Sequence, residues 1–99
     1  MKVLSLIFGL TVILSSGAAI ALTGAKYAHE AKFTLDEARS AALRQRPGKI
    51  MDQELEREHG GSGLRYSFDI MSHGRAFEVG VDAKTGKVLE DKAEGPHPD

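Results

Sequence analysis

Leu64-Arg65-Tyr66-Ser67-Phe68-Asp69-Ile70-Met71-Ser72-His73-Gly74-Arg75-Ala76-Phe77-Glu78-Val79-Gly80-Val81-Asp82 is the stretch on which the fold turns. Leu64, Tyr66, Phe68 and Ile70 alternate with Arg65, Ser67, Asp69 and Met71, and Phe77, Val79 and Val81 alternate with Glu78, Gly80 and Asp82. A period of two with one apolar side is the mark of a half-buried antiparallel strand. If His73-Gly74 is a two-residue hairpin loop, paired residue numbers sum to 147, which sets Ile70 opposite Phe77, Phe68 opposite Val79 and Tyr66 opposite Val81. Every inward side chain then meets an inward side chain, an agreement that a slip of one residue would destroy.

Downstream, Val81-Asp82-Ala83-Lys84-Thr85-Gly86-Lys87-Val88 reads as a second hairpin. Gly86 suits the left-handed position closing a three-residue loop, Asp82 is placed to cap the turn or face Lys87, and Val81 pairs with Val88. Upstream, residues 49–58 read as a strand in which Ile50 and Leu55 have opposite parity, which calls for a bulge or a twisted edge. His59-Gly60-Gly61-Ser62-Gly63 reads as a flexible connection between these strands.

Before the strands the period changes to that of a helix. Leu35, Ala38, Ala42 and Leu43 form one stripe, and Thr34 with Glu37 has capping-box spacing. Pro47-Gly48 ends the run, because proline cannot continue the amide ladder and restricts the residue before it. The expected architecture is α+β: a hydrophobic N-terminal segment, then one helix (34–46) on one face of a four-stranded antiparallel meander. The other face, carrying Arg65, Ser67, Asp69, Glu78 and Asp82, is expected to be solvated.

The first 25 residues are an address. They hold one charge, Lys2, followed by the 12-residue apolar run Val3–Leu14 and then small residues. This is the layout of a secretory signal peptide. Ala19-Ile20-Ala21 and Thr23-Gly24-Ala25 are both small-x-small cleavage sites, so cleavage after Ala21 and after Ala25 both stay open. The alternative is an uncleaved anchor, since residues 3–25 carry no charge and about 20 apolar residues span a bilayer. Either reading puts the remainder outside the cytoplasm: periplasmic or secreted if cleaved, membrane-anchored if not. Residues 26–32 read as a polar lead-in, 33–92 as the domain and 93–99 as a disordered tail.

Composition narrows the chemistry. Of the 99 residues none is cysteine, which excludes disulfide staples, zinc–thiolate sites and lipid attachment through cysteine. The 74 residues after Ala25 carry 12 Lys/Arg against 14 Asp/Glu, well mixed, and so offer no cationic face for nucleic acid. His29, His59, His73 and His97 fall in the lead-in, two loops and the tail with no helical i, i+4 partner, and no metal site is expected of them. Ser62 and Ser72 have no base placed beside them, so no enzyme and no cofactor are expected. Asp52, Glu54, Glu56 and Glu58 put like charges on one side of a strand. That is a solvated, edge-protecting face in one reading and a docking edge for a basic partner in the other.

In the order of its elements the chain resembles a PepSY domain over about residues 33–90. The matching pieces are Leu35-Asp36-Glu37-Ala38 with Ala41-Ala42-Leu43, the exit Pro47-Gly48-Lys49-Ile50, and the acidic strand Glu54-Leu55-Glu56-Arg57-Glu58. The aromatic strand 64–68 and the closing Val79-Gly80-Val81-Asp82-Ala83-Lys84-Thr85-Gly86-Lys87-Val88 complete the series. Thr34, Glu37, Pro47, Gly48, Asp82, Thr85 and Gly86 are its structural positions, and the resemblance carries over no binding residue. The resemblance implies a non-catalytic module of the kind found in propeptides of thermolysin-like metallopeptidases, in spore-germination proteins and as small exported proteins. It implies a protein partner in the cell envelope, with a peptidase restrained in trans, because this chain has no His-Glu-x-x-His. Binding by strand addition at a sheet edge or through the 59–63 loop, and homodimerisation, are compatible with it. A small-ligand or metal-responsive sensor accessory is the alternative.

Overall fold

The computed structural model describes residues 20–95, so the apolar run, the anchor reading, the end of the tail and His97 lie outside the described residues. The chain folds as one helix, α1 (Leu35–Gln45), followed by four strands: β1 (Lys49–Arg57), β2 (Leu64–Ser72), β3 (Arg75–Asp82) and β4 (Val88–Ala93). The strands form an antiparallel sheet in the order β1-β2-β3-β4, and α1 lies across one face.

The helix starts where its capping chemistry says it should. Thr34 Oγ1 accepts from the Glu37 amide at 3.1 Å and Glu37 Oε1 accepts from the Thr34 amide at 2.9 Å, so two otherwise unpaired donors are satisfied reciprocally. Ala38 and Ala42 are fully buried on its inner face. Alanines there let the helix approach closely, and the sheet supplies the bulk: Ile50, Leu55, Leu64, Tyr66, Phe68, Ile70, Val79 and Val81 are all buried. The exit is pinned as well. Arg46 grips Asp91 of β4 through Nε at 3.2 Å and Nη2 at 3.1 Å, with its guanidinium 3.8 Å from the Phe77 ring centroid. Ser72 Oγ donates to the Pro47 carbonyl at 2.8 Å, and a side chain at Gly48 would run into the carbonyl of Met71.

The central hairpin has the register expected from sequence: Ile70 pairs with Phe77, Phe68 with Val79 and Tyr66 with Val81. His73 and Gly74 both take positive φ, 51° and 77°, as a two-residue turn matched to strand twist requires. The β3–β4 turn also follows expectation, with Val81 opposite Val88 and Gly86 at φ 78°. β1 carries a bulge between Ile50 and Asp52, which leaves Met51 unpaired and turns both Ile50 and Leu55 inward.

Four expectations are corrected. Asp82 is not on a solvated surface: it is 1% exposed and caps the β3–β4 turn, accepting from the amides of Lys84 at 2.8 Å and Thr85 at 3.1 Å. The 59–63 segment is not a free connection. The Ser62 amide and hydroxyl each donate to Asp82 at 2.7 Å, and Gly60, Gly61 and Gly63 adopt positive φ to bring them there. The lead-in is a 3-10 helix, Ala25–Glu30, with Tyr27 packed against the core, and before it Leu22 packs on the same core and Thr23 bridges to β1. At the other end Ala93 belongs to β4, and the Glu94 amide donates to the Ala76 carbonyl at 2.9 Å.

Candidate functional site

The helix-free face of the sheet is built by strand parity. Because the Met51 bulge turns Leu55 inward, Asp52, Glu54 and Glu56 point outward. The register then lines up rows across the sheet. Asp52 pairs with Asp69, Asp69 with Glu78, and Glu78 with Lys92, while Glu54 pairs with Ser67 and Ser67 with Gly80. The result is a shallow trough of about 270 Å³ whose lining includes Asp52, Glu54, Glu56, Glu58, Ser67, Asp69, Glu78 and Glu94 and contains no basic side chain. The four carboxylates singled out from sequence all lie on it. Asp69, Glu78 and Glu94 join them from three different elements.

The nearest cations do not neutralise the trough. Arg65 lies over Gly80, whose missing side chain makes room for it, and reaches Glu90 at 3.2 Å; Lys92 also pairs with Glu90, at 3.1 Å. Arg65 and Lys92 thus make their ion pairs with Glu90 of β4, and Lys92 also attracts Glu78 across the ladder. None of the trough carboxylates forms an ion pair with a described residue, and Glu56 has instead a hydrogen bond from Ser67 Oγ at 2.7 Å. Like charges directly across a ladder are destabilising. Three of the trough carboxylates are raised, by burial first and by neighbouring charge second. Partial burial, then the charges of Glu56, Asp52 and Asp69, raise Glu54 above the usual carboxylate value. Glu78 is raised by burial and then by Glu90, outweighing Lys92, and Glu94 by burial and then by Asp69.

Chemically the trough can attract a cationic group. One oxygen from each of Asp69, Glu78 and Glu94 lies within 4.8 Å of the others, an all-oxygen set of the type hard divalent cations take, though short of the six to eight ligands calcium prefers. The described histidines lie elsewhere: His29 sits in the 3-10 helix, His59 in the β1–β2 loop and His73 in the β2–β3 turn, and none of the three lines the trough. Thr34, Glu37, Pro47, Gly48, Asp82, Thr85 and Gly86 are caps, turns and close approaches outside the trough. Asp69, Glu78 and Glu94 escaped the sequence reading of the site, although the pairing sum of 147 already sets Asp69 opposite Glu78.

Among the described residues no helix is long and apolar enough to cross a membrane. No curated protein and no solved structure matches the chain. A family model does: residues 32–92, from just before the helix cap to near the end of β4, match the peptidase propeptide and YPEB domain, and with most of its length so accounted for the chain belongs to the PepSY family.

Proposed function

We propose that the protein is an exported, non-catalytic binding module that receives a basic segment of an envelope protein on its helix-free face, and that the partner class is a peptidase regulated in trans. The uncompensated carboxylate trough carries this reading. A sheet that sets Asp52, Asp69 and Glu78 side by side keeps an arrangement unfavourable to its own stability, and a cationic partner would relieve it. Membership of a family described by the peptidase propeptide supports the partner class. The non-catalytic reading is supported by the hydroxyls facing carboxylates, Ser62 and Ser67, which donate into hydrogen bonds that hold a loop and a strand pair. Strand addition is a less favoured mode at the β1 edge, because Thr23 already occupies part of it.

The test is inhibition of a thermolysin-type metallopeptidase by the purified protein, run beside a variant with Glu54→Gln, Glu56→Gln and Glu78→Gln. Inhibition should weaken at least tenfold in the variant and fall as ionic strength rises through the range where the screening length drops below about 10 Å. Equal potency of the two proteins would refute the docking face. The second reading, a metal-responsive accessory, is favoured by the Asp69–Glu78–Glu94 convergence. A cation bound only by the native state must raise the melting temperature, so calcium and magnesium that leave it unchanged at millimolar concentration would end that reading.

A further inference from the structure

Residues 20–25 stand where a leader would end, yet they are part of the fold. The Thr23 amide donates to the Gln53 carbonyl at 3.2 Å, and the Thr23 carbonyl accepts from the Leu55 amide at 2.8 Å, a parallel bridge on the outer edge of β1. Leu22 packs against the core. Gly24 takes φ 85°, and a side chain there would collide with the Leu55 carbonyl, so only glycine fits. The Tyr27 amide donates to the Gly24 carbonyl at 2.9 Å to open the 3-10 helix.

This separates the two small-x-small triplets. Thr23-Gly24-Ala25 is held by the fold: the Thr23 backbone bridges to β1, Gly24 must be glycine, and Ala25 opens the 3-10 helix. Ala21 is exposed and no described hydrogen bond involves it, so Ala19-Ile20-Ala21 has no such structural demand at its last position. We propose that an export peptidase selecting small residues at the first and third positions before the scissile bond cuts between Ala21 and Leu22. The mature chain then keeps Leu22-Thr23-Gly24 as a short edge segment on β1. Hydrolysis consumes one water, leaving a carboxylate on Ala21 and a new α-amino group on Leu22. The cut gives up the packing of Ile20 against the core and the hydrogen bond from Gln53 Nε2 to the Ile20 carbonyl at 2.7 Å, and the departure of Ile20 opens that amide to water. A cut after Ala25 would instead remove both backbone bonds to β1 and the packing of Leu22.

The inference rests on the export reading above and is tested by intact-mass measurement of the exported full-length gene product. The expected product has lost residues 1–21 and begins at Leu22. It should disappear in Ala21→Gln and persist in Ala25→Gln, and mass reads the cut whether or not a variant folds well. A chain beginning at Lys26, or at any residue other than Leu22, overturns the proposal while leaving export intact. An exported chain of unreduced mass overturns it and removes the cleaved leader as well.

Discussion

Replacing Asp82 by asparagine tests the joint between the two loops at one end of the sheet. The carboxylate accepts four hydrogen bonds, from the Ser62 amide and hydroxyl and from the amides of Lys84 and Thr85. Burial alone would raise its pKa, but these donors outweigh burial and lower it from 3.8 to about 2. The folded state therefore favours the charged form by about 2.5 kcal/mol, and an amide, which turns a donor toward the Ser62 amide, should lose about that much. With a urea slope of about 1 kcal/mol/M for a domain this small, the unfolding midpoint at pH 7 should drop by roughly 2.5 M. The pH dependence is the sharper arm. The unfolded carboxyl takes up its proton near 3.8 and the folded one near 2, so the wild type has the full contribution above about pH 4 and loses it by about pH 2. Asp91, whose pKa is lowered chiefly by the Gln45 hydrogen bond, titrates in the same direction in both proteins and cancels from the difference. The stabilities of wild type and Asp82→Asn should converge as the pH approaches 2. A midpoint change under roughly 0.5 M at pH 7, or two curves that stay parallel to pH 2, would refute the reasoning.

Three further outcomes follow from the same geometry. Thr34→Ala removes the acceptor for the Glu37 amide and should cost about 1 kcal/mol by thermal or urea unfolding, and no measurable loss would mean the cap is idle. Gly86→Ala places a Cβ 2.5 Å from the Phe33 ring at a φ of 78°; it should destabilise by roughly 1–3 kcal/mol, and an unchanged midpoint would contradict the packing. Glu54, Glu78 and Glu94 are raised above their ordinary 4.5 in the folded state, so each binds its proton more readily there than in the unfolded chain. Stability should accordingly rise as pH falls from neutral toward those raised values, before Asp82 and Asp91 reverse the trend below about pH 4. A monotonic fall from pH 7 downward in a urea-midpoint series would sink that claim.

What was legible in the sequence was local or could be checked by addition. The Thr34–Glu37 box, the helix stripe, the 147 sum and the Gly86 turn each depend on residues close in sequence or on one hairpin loop. Gln53 was not legible. It faces the core in β1 at 3% exposure, satisfied by Arg39 of α1 at 2.7 Å and by Ile20, two partners that no pattern within the strand announces. Asp82, expected either to cap the turn or to face Lys87 on a wet surface, caps the turn in the interior, because its burial comes from the Gly61-Ser62 segment folding over it. The acidic trough was half visible: spacing gave the β1 carboxylates, whereas Asp69, Glu78 and Glu94 needed the full sheet order to reach them. Residues 22–25 could be read from sequence as leader or as domain, because apolar and small residues serve export and an edge bridge equally well.

Met51 governs more than the shape of its strand. A single unpaired residue acts as a parity switch, letting Ile50 upstream and Leu55 downstream face the helix while Asp52, Glu54 and Glu56 face away. Deleting it would force a choice between wetting Leu55 with the carboxylates pushed beneath the helix and wetting Ile50, with no continuous ladder that avoids both. Length changes should therefore be tolerated very unevenly along this chain. The two-residue turn at His73-Gly74 can be lengthened at the rim, but the middle of β1 has no spare position, since the greasy interior and the charged exterior hang on the same extra amide.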